Sequence, residues 1–234
     1  MSFGLGHGRQ LDATGIAIGE DELPPLPDEI ATDPLAGVID PCAWFSNPAQ
    51  PLEIEIGSGK GTFILQYASQ HPEVNLLGIE IAGEFCTYAA DRIRRAQLSD
   101  VRMLRADATS FLRWRVPTEC VRTVHLYFSD PWPKSRHHKN RVVQDRFLAD
   151  VHRVLVPSGD LRIVTDHDDY WQWMEAHADR WCISPPEPWQ DRVYVREEFK
   201  PADGAGDNEL VGTNFERKYK REGRPFHAMV LRKR

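Results

Sequence analysis

The sequence has little of what marks a membrane protein, a secreted protein or a metalloprotein. No run of residues approaches the roughly 18 consecutive apolar residues of a membrane-spanning helix. The first ten residues show no basic stretch followed by an apolar one, so we expect no secretory signal. The four cysteines lie far apart without a Cys-x-x-Cys pair, which argues against both a zinc site and a disulfide framework. We therefore expect a cytoplasmic protein that binds no metal.

The negative net charge does not exclude a nucleic-acid partner, because the charge is unevenly distributed. The 234 residues carry a net charge of −6, but residues 1–50 alone hold eight acidic residues and one basic residue. The remainder is close to neutral and has two basic clusters, at 132–141 and 213–234. Clusters of this kind form phosphate-binding surfaces.

The order of predicted elements favours an α/β fold. Residues 1–50 are acidic and rich in proline, and we expect a largely irregular N-terminal arm before a domain at 51–234. Strands are predicted at 52–56, 75–81, 101–106, 121–128 and 161–165, with two further ones at 192–199 and 226–232. Helices are predicted at 61–69, 83–98, 109–114, 142–155 and 168–178. Five successive β-α units predict a doubly wound, mostly parallel sheet of about seven strands, with an antiparallel C-terminal strand.

A glycine-rich turn follows the first predicted strand, where residues 55–61 read EIGSGKG. Ile54 occupies the position of the first P-loop glycine, which excludes that motif. Thr62 replaces the last glycine of the dinucleotide fingerprint, which disfavours a nicotinamide-dependent oxidoreductase. The remaining pattern, Glu55 followed by Gly57, Gly59 and Gly61, is the form used to bind S-adenosylmethionine. A plain glycine-rich turn without a ligand is the structural alternative.

Acidic residues at later strand ends complete a candidate adenosyl pocket. Ligands in such sheets bind beyond the carboxyl ends of the strands. Glu80 ends the second predicted strand, where an acid binds a ribose diol, and Asp107 ends the third, where it faces an adenine amino group. Either acid taken alone is better explained as a solvated carboxylate.

The fourth predicted strand leads into an unusual segment, HLYFSDPWPKSRHHKNR at 125–141. Two prolines stiffen the backbone on either side of Trp132, so that Asp130 is held at the strand end and cations follow directly. We expect Trp132 to buttress this loop, with stacking on a base as the alternative.

At this point the sequence resembles the bacterial tRNA (guanine-N7)-methyltransferases. The resemblance rests on LEIEIGSGKG at 52–61, GIEI at 78–81, DPWPK at 130–134, RHHK at 136–139, Thr165-Asp166 followed by Tyr170, and TNFER at 213–217. It implies a Rossmann-like class I methyltransferase fold and transfer of a methyl group from S-adenosylmethionine to N7 of a guanosine in the tRNA variable loop, at the position numbered 46. Three residues depart from the family's common pattern, namely Ser129, Asn140 and Asn214.

The resemblance also implies roles for individual residues. Glu55, Glu80, Asp107 and Asp130 resemble cofactor-pocket residues, together with the glycines of the turn. The residues that resemble substrate-binding or tRNA-contacting positions are Lys134, Arg136, His137, His138, Lys139, Asn140, Arg141, Asp166, Thr213, Asn214, Phe215 and Glu216. The role of the acidic arm stays open.

The chemistry of the reaction selects two catalytic candidates. Guanine N7 has a lone pair and no proton, so its methylation needs alignment rather than a general base. The purine gains positive charge, which the carboxylates of Asp130 and Asp166 would favour.

The adjacent His137 and His138 lack a third ligand at useful spacing, so a metal site is disfavoured. The alternatives are a methyltransferase for another RNA or a small molecule, and an RNA-binding protein without catalysis. We expect a monomer, with a dimer as the alternative.

Overall fold

A computed structural model describes Leu5, Gly8 and residues 10–234 of the chain. Within this part, eight strands form one sheet: β1 Ala17–Gly19, β2 Leu52–Ile56, β3 Asn75–Ile79, β4 Val101–Arg105, β5 Val121–Tyr127, β6 Leu155–Thr165, β7 Tyr194–Glu197 and β8 His227–Lys233. The α-helices are α1 Thr62–Gln70, α2 Gly83–Arg95, α3 Ala108–Trp114, α4 Asp145–Val154, α5 Asp168–Ile183 and α6 Asn214–Arg221. No helix among these residues is long and apolar enough to cross a membrane.

The order of the strands confirms the predicted doubly wound sheet. The sheet runs β1-β4-β3-β2-β5-β6-β8-β7, and every pair from β1 to β6 is parallel. The C-terminal strand β8 is antiparallel to both β6 and β7. The chain runs outward from β2 to β4 and then returns to β5 on the other side of β2. Ligands of such sheets bind in the crevice at this reversal, beyond the carboxyl ends of β2 and β5.

Burial explains why the central strands form. All five residues of β2 and of β3 are buried, as expected for strands covered by helices on both faces. Glu53 and Glu55 are therefore buried with their apolar neighbours, and Glu53 is paired there with Arg122 and His125. A buried carboxylate needs such partners, since an unpaired charge is costly to remove from water.

The N-terminal arm contains more structure than its composition predicts. Its strand β1 pairs with β4 and adds an eighth strand to the seven that were predicted. Three 3-10 helices follow in the arm, and the Arg115 guanidinium donates to the carbonyl oxygens of Gly37, at 3.3 Å, and Pro24, at 2.6 Å. The arm therefore packs on the sheet, while the division of the chain at residue 50 stays a prediction.

Candidate cofactor and RNA-binding site

The three glycines of the first turn serve two different purposes. Gly57, Gly59 and Gly61 have φ angles of +74°, +52° and +68°, a region that other residues rarely adopt. A Cβ atom on Gly57 or Gly59 would meet nothing within 4 Å, so the space beside them is open. A Cβ atom on Gly61 would lie 2.9 Å from the Cβ atom of Ala89, so Gly61 also allows α1 to pack closely on α2.

Glu55 presents an unsatisfied carboxyl oxygen at this turn. Its side chain is 4% exposed, and Oε2 has no hydrogen-bond partner among the described residues. Burial raises the pKa of Glu55 to about 8, against a hydrogen bond from Ser58, and the negative charge of Glu80 adds to the rise. A buried acceptor without a partner indicates a missing donor. A cationic ligand group would satisfy it and would lower this raised pKa, because a nearby positive charge favours the ionised carboxylate.

Glu80 braces the same turn. Its Oε2 accepts a hydrogen bond from the Gly59 amide at 2.8 Å, and its Oε1 accepts one from the Ala82 amide at 2.8 Å. A carboxylate offers about four acceptor positions, so two remain for a ligand. Glu80 can therefore hold a diol without giving up the contacts that shape the turn.

Asp107 caps a helix at the end of β4. Its Oδ1 accepts hydrogen bonds from the Ser110 amide at 2.7 Å and the Thr109 hydroxyl at 2.6 Å. Partial burial tends to raise the pKa of Asp107, but the hydrogen bonds from Thr109 and Ser110 outweigh it and leave the pKa below its usual value. Both of these hydrogen bonds use Oδ1, so Oδ2 is the oxygen left for the predicted contact with an adenine amino group.

The charges of Asp130 and Asp166 act on the same aromatic side chain, that of Tyr219. Asp130 is exposed beyond β5, and Asp166 follows β6 with its side chain 12% exposed. Burial raises the pKa of Tyr219, and the negative charges of Asp166 and Asp130 raise it further, so both carboxylates act on its hydroxyl. Asp166 Oδ2 also accepts a hydrogen bond from Arg224 Nη1 at 2.7 Å. Sequence reasoning missed Tyr219 and Arg224.

The chain on both sides of Asp130 is shaped by strained residues and ring contacts. Phe128 and Trp132 have φ angles of +55° and +43°, which is costly for residues with large side chains. The Trp132 ring stacks on that of His137, with the centroids 5.8 Å apart, a contact in keeping with the predicted buttress. The exposed cations of this loop are Lys134, Arg136 and Lys139, and Asn140 is exposed beside them.

Two histidines of the loop already have protein partners. The His137 Nε2 atom accepts a hydrogen bond from Arg136 Nε at 3.0 Å, and the His138 ring packs edge-on against Trp173. Within the described residues, no group of three or more His, Cys, Asp and Glu side chains is placed to hold a metal ion.

Arg141, expected at the RNA surface, is instead buried. It is 2% exposed, and its guanidinium donates to the Pro131 carbonyl at 2.9 Å and to the Asp169 carboxylate. The same guanidinium lies over the rings of Tyr170 and Trp173, 5.1 and 5.2 Å from their centroids. These contacts anchor the loop to α5. The expected phosphate contact of Arg141 is therefore corrected to a structural role.

Glu216, another expected substrate contact, also faces inward. It is 1% exposed, and its carboxylate accepts hydrogen bonds from the amides of Leu210, Val211 and Gly212. These bonds fix the loop before α6 and leave little capacity for a substrate. Glu216 is thus corrected to a residue that shapes the site.

The other residues of this motif lie around the start of α6. The Thr213 hydroxyl caps the helix by accepting from the Glu216 amide at 3.0 Å. Asn214 Nδ2 donates to the Thr62 hydroxyl at 2.8 Å, which joins α6 to the glycine turn. The Phe215 side chain is 50% exposed, and its ring also packs against those of Phe128 and Tyr219.

Comparisons with known proteins agree with this geometry. A protein-family model described as "Putative methyltransferase" matches residues 49–229. The tRNA (guanine-N(7)-)-methyltransferase of Rhodospirillum rubrum is 31% identical over 242 residues, covering 99% of this chain and 87% of that protein. The enzyme of the same name from Streptococcus equi subsp. equi is 31% identical over 210 residues, covering 90% of this chain and 94% of that protein.

Solved structures support the fold. The 16S rRNA methyltransferase KamB matches with a TM-score of 0.53 at 12% identity, covering 90% of this chain and 94% of that one. A structure described as an antibiotic-related methyltransferase matches with a TM-score of 0.52 at 14% identity, covering 79% of this chain and 87% of that one. These likenesses confirm the predicted methyltransferase fold. The sequence matches identify the family as well as the fold. The chain belongs to the family of bacterial tRNA (guanine-N7)-methyltransferases.

Proposed function

We propose that this chain transfers a methyl group from S-adenosylmethionine to N7 of a guanosine in tRNA, at variable-loop position 46. Membership of the family supports the reaction. The observation that carries the proposal is the placement of Glu55, Asp130 and Asp166 at the carboxyl ends of the neighbouring strands β2, β5 and β6, with the exposed cations at 134–139 following Asp130 in the chain.

The cofactor pocket is assigned to the turn after β2 and the ends of β3 and β4. The orphaned Glu55 Oε2 suits a ligand that carries positive charge, as the ammonium and sulfonium groups of S-adenosylmethionine do. Glu80 accepts from the ribose diol, and Asp107 accepts from the adenine amino group. When bound, S-adenosylmethionine supplies an electrophilic methyl group on its sulfonium.

The protein's part in the chemistry is to align the guanine and to stabilise its charge. The N7 lone pair forms the new N–C bond while the S–C bond breaks and its electron pair stays on sulfur. No proton moves, so no general base is required. Positive charge passes to the purine, and the carboxylates of Asp130 and Asp166 stabilise that charge. An Asp166 carboxyl oxygen also accepts from guanine N1–H, which adenine lacks.

The loop between β5 and α4 supplies the cations that contact the RNA phosphates. Lys134, Arg136 and Lys139 extend into solvent from a loop whose base is anchored by Arg141. Contacts of these cations with phosphates position the RNA without reading its sequence.

One experiment tests both the reaction and the position in tRNA at which the methyl group is added. The protein is incubated with isotopically labelled S-adenosylmethionine and unmodified tRNA, and the product is mapped by mass spectrometry after nuclease digestion. We expect 7-methylguanosine at position 46. Label at another position or in another RNA would redirect the proposal to a different RNA substrate, and no incorporation would refute it.

An Asp166→Asn variant separates chemistry from binding. It keeps the size of the side chain but removes the charge that stabilises the purine cation. With saturating tRNA, methyl transfer in a single turnover should slow at least tenfold, because hydrogen bonds to charged groups contribute about 1.5–3 kcal/mol. Affinity for S-adenosylhomocysteine should stay close to that of the wild type. A wild-type rate would remove Asp166 from the reaction.

A further inference from the structure

Arg224 lies at the centre of the proposed base-binding end of the site, although no motif contains it. Its Nη1 donates to Asp166 Oδ2 at 2.7 Å, and its Nη2 lies 2.8 Å from Glu222 Oε2. The guanidinium also stacks on the Tyr219 ring, 4.1 Å from the centroid. Two carboxylates and one ring therefore fix the plane of this guanidinium, while its side chain stays 42% exposed.

The ion pair presents a donor beside an acceptor, and guanine has the complementary pattern. On guanine, the O6 acceptor is next to the N1–H donor. On adenine, an amino donor replaces O6, and N1 is an acceptor, so both contacts with the ion pair would become repulsive. We propose that Arg224 is a specificity-determining residue that donates to guanine O6 while Asp166 accepts from N1–H. This inference rests on the proposed function and adds to it a residue and a contact.

The geometry of the reaction limits how Arg224 can bind. An arginine often donates to O6 and N7 of guanine together. Here N7 must stay free as the nucleophile, so the guanidinium cannot donate to both O6 and N7. Asp166 and Glu222 already accept from Nη1 and Nη2. These two pairs hold the guanidinium away from the orientation in which it would donate to O6 and N7 together. Because Asp166 lies beside it, a contact of Arg224 with O6 would come from the N1 side of the base and would leave N7 open.

The local charge also suits this role. A lone arginine beside the purine would oppose the positive charge that develops on methylation. Arg224 is paired with Asp166 and Glu222, and Lys218 Nζ lies 3.9 Å from Glu222 Oε1, so these four side chains carry no net charge. Arg224 can therefore donate to O6 without adding net positive charge beside the purine.

The test combines Arg224→Ala with three tRNA substrates that differ only at the target base: guanosine, inosine and 2-aminopurine riboside. Inosine keeps O6 and N1–H but lacks the 2-amino group, whereas 2-aminopurine lacks O6 and the proton on N1. We expect Arg224→Ala to slow single-turnover methylation of the guanosine and inosine substrates by the same factor, roughly tenfold or more. On the 2-aminopurine substrate, the wild type and the variant should be equally slow.

Arg196→Ala is the matched control. Arg196 is an arginine of similar exposure on the edge strand β7, and it pairs with two carboxylates of α5 and with none of the candidate site residues. It should leave all three rates unchanged. Neither variant should alter affinity for S-adenosylhomocysteine. If Arg224→Ala does not fold, Arg224→Gln keeps a donor without charge and should show a smaller effect with the same dependence on O6.

Three results would overturn the inference. An equal loss on all three substrates would indicate a phosphate contact or a structural role. A loss on guanosine alone would indicate reading of the 2-amino group, and no loss would remove Arg224 from recognition. Failure of the proposed function is distinguishable, because the wild type would then not methylate the guanosine substrate at all.

Discussion

Replacing Arg141 by alanine should lower the free energy of unfolding of the protein. It should not remove a direct contact with RNA, because the Arg141 side chain is buried. The substitution removes a charged hydrogen bond to the Pro131 carbonyl, the pairing with Asp169 and the contacts with two aromatic rings. An unsatisfied, partly buried carbonyl costs about 1–3 kcal/mol, and a desolvated cation–π contact contributes about 2 kcal/mol. The Asp169 side chain is 56% exposed and stays solvated without its partner, so its loss adds little.

These contributions add to a loss of about 3–5 kcal/mol in the free energy of unfolding. For a domain of this size, the loss corresponds to a fall of about 6–20 °C in Tm. Lys139→Ala is the matched control, because Lys139 is an exposed cation of the same loop. It should change stability by less than about 0.5 kcal/mol. Thermal unfolding and tRNA binding at several salt concentrations are measured for both variants.

The two variants should show opposite patterns. Lys139→Ala should leave Tm unchanged, weaken tRNA binding and reduce the slope of log K against log salt concentration by about 0.7–0.9. If Arg141→Ala instead unfolds like the wild type and reduces the salt slope as Lys139→Ala does, the Arg141 guanidinium contacts phosphate. The structural role would then be refuted.

Three further predictions concern the pocket and the loop. Glu80→Ala should weaken S-adenosylhomocysteine binding at least tenfold by calorimetry, from the loss of charged hydrogen bonds worth about 1.5–3 kcal/mol; unaltered affinity would remove Glu80 from the pocket. The pKa of Glu55 is raised from 4.5 to about 8, so the native state keeps a proton that the unfolded state releases, and stability should fall as pH rises from about 4.5 to about 8. Glu55→Gln should flatten that decline in urea unfolding, and a decline as steep as that of the wild type would assign it to other groups. Replacing Lys134, Arg136 and Lys139 together by alanine should lower tRNA affinity and flatten its salt dependence, while cofactor affinity stays unchanged; an unchanged salt slope would place the RNA contact elsewhere.

The elements that sequence predicted well are those with a strong local pattern. Strands β2, β3, β4, β5 and β7 lie within the predicted segments, and β8 extends one residue beyond its own. Strand β6 begins at Leu155, six residues before its predicted segment. Turn residues and, in the central strands, continuous burial mark these elements. Strand β1 was missed because three residues are too few to show a period, and it forms by pairing with the edge of β4. Helix α6 was missed because only Glu216 is buried along it. Its Thr213-x-x-Glu216 start was a capping signal that could have revealed it.

The candidate site was predictable in position but not in side-chain direction. The rule that ligands bind at the carboxyl ends of strands located Glu55, Glu80 and Asp107. It could not show that Arg141 turns inward, because that depends on aromatic partners 29 and 32 residues further along the chain. Nor could it find Arg224, which pairs with a carboxylate 58 residues earlier. Contacts of this separation depend on the tertiary fold.

The anchoring of the 130–141 loop would link the proposed RNA binding to the proposed chemistry at Asp166, because both are held by the same elements. The loop is fixed to β6 by the hydrogen bond from the Phe128 amide to the Val164 carbonyl, at 2.8 Å, and to α5 by Arg141. Asp166 lies between the end of β6 and the start of α5, so the same two elements hold it. The backbone that carries the cations proposed to contact phosphate is therefore held at a fixed distance from Asp166, the carboxylate proposed to accept from the base. Because a misplacement of about 1 Å can cost a factor of about 100 in rate, a loop that moved independently of Asp166 would bind tRNA without aligning N7.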